Sequence, residues 1–140
     1  FVFLPQTAEY ALRAMSCLAA APPGEGVRAV DLSAQSGVPP AYLSKILRRL
    51  VLAGLLTSRK GHHGGFALAR PPASITFADI LAAADAGPDA GRCAFGWSQC
   101  DPGAPCPLHP AWSGLQGSFV EWSSATTLAD VDLSRLTRRR

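Results

Sequence analysis

A chain of 140 residues holds one domain with at most a short appended element, and its 48% hydrophobic content is enough to build a core. Its formal charge of +3, from 13 Lys and Arg against 10 Asp and Glu, conceals a segregated pattern. Between Leu32 and Ala78 there is no acidic residue, yet the stretch carries Lys45, Arg48, Arg49, Arg59, Lys60 and Arg70. The other seven of the thirteen basic residues face all ten acids in the remainder. A compact cationic block in an otherwise acidic chain is the footprint of a surface that meets phosphate, a merely solvated face being the plainer alternative. No apolar run reaches the length of a membrane span, and Phe1-Val2-Phe3-Leu4 is too short for a signal peptide. A cytoplasmic location without membrane attachment is therefore expected.

In chain order, a first helix is expected from Pro5 to Ala21, with Ala8, Ala11, Leu12, Met15, Leu18 and Ala19 as its buried stripe. Pro22-Pro23-Gly24 stops it. Glu9 and Arg13, four apart on the other face, read as a surface ion pair worth roughly 0.2–0.5 kcal/mol. Cys17 reads as a small buried hydrophobe. From Val30 to Ser36 the spacing is again helical, with Val30, Leu32 and Ala34 available to pack, and Gly37 supplies the corner that needs positive φ. Pro39 and Pro40 open the next helix, whose stripe is Leu43, Ile46, Leu47 and Leu50 and whose end is Gly54.

These two helices form a helix-turn-helix, and the second is expected in a major groove of double-stranded DNA. Ala41, Ser44, Lys45 and Arg48 share its outer face. Ala41 and Ser44 are placed for bases, and Lys45, Arg48 and Arg49 for phosphates. Leu55 to Arg59 then reads as a strand, Lys60 to Gly65 as a glycine-rich turn, and Phe66 and Leu68 as the return, closed by Pro71-Pro72. Such a wing, tipped by Arg59, Lys60, His62 and His63, could reach the minor groove or its phosphates. The adjacent histidines read as solvent or phosphate contacts, since no other metal ligand lies nearby in sequence. An enzyme is not expected. The Gly61–Gly65 run lies between two strands instead of opening a nucleotide-binding helix.

Beyond the wing, Thr76-Phe77-Ala78-Asp79 looks like a capping arrangement that opens a helix through Ala84. Gly87 to Pro110 is a long glycine- and proline-rich stretch holding Cys93, Cys100, Cys106 and His109. Trp112, Leu115, Phe119 and Trp122 recur at the spacing of a further helix whose aromatic content suggests packing on a second copy. Thr127-Leu128-Ala129-Asp130 begins a short closing segment, and Arg138 to Arg140 reads as a loose tail. The expected organisation is thus 1–86, a winged helix-turn-helix DNA-binding domain; 87–110, a cysteine-rich sensor loop; and 111–140, a dimerisation helix with its tail. The fold class is mainly α with a small β-hairpin wing.

The pattern Cys93-x6-Cys100-x5-Cys106-x2-His109 is a four-ligand set for a soft metal. Zinc would accept three thiolates and an imidazole in a closed tetrahedron, and an iron–sulfur cluster would accept the same ligands. Three free thiols beside a packed histidine is the plainest reading. The absence of a close Cys-x2-Cys knuckle shifts weight from zinc towards iron–sulfur.

Several short motifs, taken jointly and in order, resemble the Rrf2 family of bacterial transcription regulators. They are Tyr10-Ala11-Leu12-Arg13-Ala14, Tyr42-Leu43-Ser44-Lys45-Ile46-Leu47, Ala53-Gly54-Leu55-Leu56, Gly61 to Gly65 with Leu68-Ala69-Arg70, the three loop cysteines with His109, and Thr127-Leu128. The resemblance implies a winged-helix homodimer on a pseudo-palindromic operator, with a long C-terminal helix crossing its twin and the cysteine loop near the dimer interface. It further implies that Cys93, Cys100 and Cys106 bind an iron–sulfur cluster that makes the regulator, expected to be a repressor, responsive to redox state, iron or nitric oxide. In iron–sulfur-assembly regulators the fourth ligand matches His109; in nitric-oxide sensors it is an acid matching Glu9. His109 is preferred, a 2Fe–2S cluster is favoured over 4Fe–4S, and a family member without a cluster, answering to a partner protein or small ligand, or with a structural zinc, is the alternative. Ser44 stands where the assembly regulators have a base-reading glutamate, and Lys60 where they have a wing arginine, so the operator sequence should differ.

Overall fold

The computed structural model describes residues 4–22, 25–61, 64–85 and 107–131. The elements are α1 (Gln6–Ala20), α2 (Ala29–Ser36), α3 (Pro40–Leu52), strands β1 (Leu56–Arg59) and β2 (Gly65–Leu68), α4 (Phe77–Ala83) and α5 (His109–Ala125). Short 3-10 turns at Pro72–Ser74 and Leu128–Asp130 complete them.

α1 lies at the centre and packs on α2, α3 and α4. Its buried face is unusually small: Ala8, Ala11 and Ala14 are fully buried beside Met15 and Leu18. Methyl side chains let neighbouring helices approach closely. Leu12 and Ala19, expected in the stripe, are only half-buried at its flanks. Cys17 is half-buried against the same core, and burial pushes its thiol pKa up.

The corner between α2 and α3 is held by hydrogen bonds from its glycine and two serines. Gly37 is left-handed, φ +73°, and its N–H donates to the Ser33 carbonyl. The Ser33 hydroxyl donates to the Val38 carbonyl at 2.6 Å, and the buried Ser36 hydroxyl donates to the Leu32 carbonyl at 2.6 Å while accepting from the Val38 N–H. On α2 the packing residue is Leu32. Val30 is 71% exposed and Ala34 is exposed, contrary to the sequence expectation. Eight residues of helix offer only a narrow buried face, and Leu32 with Ser36 fills it.

α3 starts at Pro40, with the Pro39 carbonyl accepting from the Leu43 N–H. Leu43, Ile46, Leu47 and Leu50 are buried as the spacing requires. The end is a Schellman closure: the Gly54 N–H donates to the Val51 carbonyl and the Leu55 N–H to the Leu50 carbonyl, with Gly54 at φ +79°. Leu55 and Leu50 are both buried, the apolar contact that accompanies this motif.

The two strands pair antiparallel, Leu56 opposite Leu68 and Arg59 opposite Gly65. Leu55, expected in the first strand, belongs instead to the helix closure. α4 opens with the expected capping box, in which the Asp79 N–H donates to Thr76 Oγ1 and the Thr76 N–H to Asp79 Oδ2. Thr127 and Asp130 repeat the device at the closing turn. The two capped turns are joined: the Phe77 N–H donates to the Thr126 carbonyl and the Leu128 N–H to the Ile75 carbonyl. The C-terminal end of α5 is thereby fastened to the head.

Leu50→Ala should cost about 2–5 kcal/mol in chemical denaturation, because it opens a cavity where α3 meets the core.

Candidate nucleic-acid interface and sensor ligands

Burying one stripe of α3 turns the other outwards, and Ala41, Ser44, Lys45 and Arg48 are all exposed there. The Ser44 hydroxyl donates back to the Pro40 carbonyl at 3.1 Å, so in this rotamer its oxygen is left to accept. Arg59 and Lys60 are exposed at the tip side of the wing. Among the described residues, none of Lys45, Arg48, Arg59 and Lys60 forms an ion pair, which leaves their charge uncompensated.

Two cations of the acid-free block behave differently. Arg70 lies 3.6 Å from Asp79 in the one ion pair among the described residues, so the wing's C-terminal arginine is neutralised locally. Arg49 Nη1 donates to the Ala84 carbonyl at 3.1 Å. That bond satisfies a carbonyl at the end of α4 and ties one guanidinium nitrogen to it, while Arg49 as a whole stays exposed. The Glu9–Arg13 ion pair expected from sequence is not made. Arg13 instead lies over the Tyr10 ring, 5.7 Å from its centroid.

The wing is set by glycines. A β-bridge joins Val27 to Phe66, with N–H···O distances of 2.9 and 2.8 Å, so a segment before α2 becomes a third partner of the hairpin. A Cβ on Gly26 would lie 2.8 Å from the Gly64 carbonyl carbon, and one on Gly65 would lie 2.6 Å from the Val27 backbone. Only glycine permits this approach, and Gly65 also takes φ +132°. The sequence reading missed this bridge because Val27 is isolated in a polar, glycine-containing stretch.

Of the sensor candidates, His109 is the first residue of α5 and is partly buried. Its Nδ1 is buried with no hydrogen-bond partner. An orphaned buried imidazole nitrogen is costly unless something binds it, which is the chemistry of a metal ligand. Glu9, the other fourth-ligand candidate, is exposed on α1. Cys93, Cys100 and Cys106 lie outside the described residues, as do His62, His63 and the Arg138–Arg140 tail. No group of metal-binding side chains is assembled among the described residues. No helix among them is long and apolar enough to cross a membrane.

A helix-turn-helix with a cationic outer face, shouldered by a hairpin wing, defines a winged-helix DNA-binding transcription regulator. Its relatives are regulators, not enzymes. The chain belongs to the Rrf2 family: the family model, described as an iron-dependent transcriptional regulator, matches residues 4–132. An HTH-type transcriptional regulator of Mycobacterium tuberculosis is 41% identical over 125 residues, covering 89% of this chain and 77% of the relative. The HTH-type regulator IscR of Escherichia coli is 30% identical over 128 residues, 91% of this chain and 78% of the relative. Among solved structures, CymR, the global cysteine regulator of B. subtilis, superposes with a TM-score of 0.77 at 22% identity, covering 93% and 95% of the two chains. IscR of T. potens gives 0.75 at 23% identity, covering 99% and 93%. These likenesses establish the mainly α fold with its two-stranded wing.

Gly65→Ala should displace the wing and weaken duplex binding several-fold in a fluorescence-anisotropy titration, with α-helical circular dichroism retained. An unchanged affinity would show that the glycine contacts do not position the wing for DNA.

Proposed function

We propose that this regulator binds a pseudo-palindromic operator as a homodimer, with its affinity set by an iron–sulfur cluster held by Cys93, Cys100, Cys106 and His109. The observation that carries the sensing half is the buried, unpartnered His109 Nδ1 at the start of α5, three residues after the last loop cysteine. When bound, a 2Fe–2S cluster, or a 4Fe–4S cluster with Glu9 as the other fourth-ligand candidate, supplies a centre that reacts with oxidants or nitric oxide. In this reading residues 1–86 are the DNA-binding domain, 87–110 the sensor loop and 111–140 the dimerisation element.

The chain's own residues supply the link between loop and head. α4 ends at Ala83, and the carbonyl of its C-cap Ala84, three residues before Gly87, accepts the hydrogen bond from Arg49 on α3. A loop that changes conformation thus pulls on a bond to the recognition helix. At its other end, α5 is tied to Ile75 and Phe77 through Thr126 and Leu128. Ligand occupancy at His109 shifts DNA affinity only if it stabilises one arrangement of these elements over another. Support for the homodimer comes from α5. Leu115, Val120 and Trp122 are exposed on it, and a shallow apolar groove is lined by Leu4, Leu115, Ser118, Phe119 and Trp122. Ala41 and Ser44 read bases, while Lys45, Arg48, Arg59 and Lys60, with His62 and His63, contact phosphates and the minor groove.

The likeness to CymR favours a second reading, in which the same head answers to a small ligand or partner protein and the loop holds zinc or nothing.

Anaerobic purification with a visible spectrum and iron, sulfide and zinc assays separates the two. Coloured protein containing iron and sulfide is expected, and Cys100→Ala should lose both the absorbance and the dependence of duplex affinity on oxidant. Colourless protein, or regulation that survives Cys100→Ala, would overturn the cluster.

A further inference from the structure

Three side chains of α1, outside the helix-turn-helix and wing, assemble against Tyr42 in the first turn of the recognition helix. The Tyr10 ring on α1 sits 5.8 Å from the Tyr42 ring on α3, at 57° to it. Gln6 Nε2 donates to the Tyr10 hydroxyl at 2.8 Å. Arg13 lies over the same ring. Tyr42 is 54% exposed although it is aromatic, and it follows Ala41 in the first turn of α3.

The donor inventory of this cluster is one-sided. The Tyr10 hydroxyl accepts from Gln6, so its own proton is free for an outside acceptor. Arg13 forgoes Glu9, the carboxylate one turn away, and rests on the ring; its charge stays uncompensated and its rotamer is restricted by the cation–π contact. Two donors, one of them cationic, therefore face solvent from a pre-ordered platform. The N-terminal part of a recognition helix meets base edges, so the flanking sugar–phosphate strand runs past its first turn. An anionic diester oxygen is the acceptor that matches both groups.

We propose that Arg13 and the Tyr10 hydroxyl form a phosphate-backbone contact on α1, seated against Tyr42, that extends the DNA-binding surface beyond the helix-turn-helix and wing. The contact carries no base readout of its own; it fixes the register of α3 on the duplex. It rests on the DNA-binding surface assigned above to α3.

The test is a salt titration of the full chain on a long mixed-sequence duplex, because phosphate contacts do not require the operator. For a dimer, Arg13→Gln should weaken binding and shallow the log–log salt slope by about 2, one released counterion per protomer. Arg13→Lys should keep the wild-type slope. Tyr10→Phe, which retains the ring, should weaken binding several-fold at unchanged slope, because a neutral donor releases no counterion. Arg13→Gln and Tyr10→Phe both indistinguishable from wild type, while Arg48→Gln shallows the slope, would overturn this contact and leave the α3 surface standing. No effect from Arg48→Gln either would overturn the α3 surface itself. Arg13 is exposed, so an unaltered melting midpoint is expected in its variants; if Arg13→Gln does not fold, Tyr10→Phe decides, several-fold weaker binding at unchanged slope upholding the contact and wild-type affinity overturning it.

Discussion

The apolar stripe of α3 is the constraint on which the interface depends. Leu43, Ile46, Leu47 and Leu50 are all buried, and each contributes about 1.5–3 kcal/mol relative to exposure. Rotating the helix by one residue would expose part of that stripe and drive Lys45 or Ser44 towards the core. The orientation of Ala41, Ser44, Lys45 and Arg48 is therefore a consequence of core packing, not of any contact these residues make themselves. The small side chains of α1 complete the arrangement, because Ala8, Ala11 and Ala14 allow three helices to close around it.

Around this helix, each neighbouring element is fixed by polar contacts that suit its position. The α2–α3 corner uses two serine hydroxyls and a left-handed glycine. The wing uses glycines at van der Waals limits, so its strands cannot tilt without a clash or a lost bridge to Val27. α4 and the end of α5 use paired capping boxes and two cross-segment hydrogen bonds. The head is thus stiff where it meets DNA. Its connection to the end of α5 passes through identifiable bonds, the Phe77 N–H to the Thr126 carbonyl and the Leu128 N–H to the Ile75 carbonyl.

Local chemistry was legible in the sequence wherever a short pattern has a single structural solution. The α3 stripe, the Gly37 corner, the Gly54 stop and the Thr76–Asp79 capping box all belong to this class. Non-local choices were not. Val30 looked available for packing because periodicity cannot say which face a short helix buries. Arg13 was paired with Glu9 on spacing alone, whereas the ring three residues before it offers a competing seat. Arg49 resembled Arg48 in composition, and only tertiary structure gives it the end of α4 as an acceptor. The Val27 bridge and the Phe77–Thr126 bond join residues far apart in the chain and leave no periodic signal. For the ligand set, the loop spacing singled out His109, and the structure adds its unpartnered nitrogen.

The most direct measurement is the dependence of duplex affinity on salt for the unmodified chain. With Lys45, Arg48, Arg59 and Lys60 each meeting a phosphate in both protomers of a dimer, log K against log salt should fall with a slope of about −7, and more steeply if Arg13 joins them. A slope near zero would contradict an interface built from the outward cations of α3 and the wing.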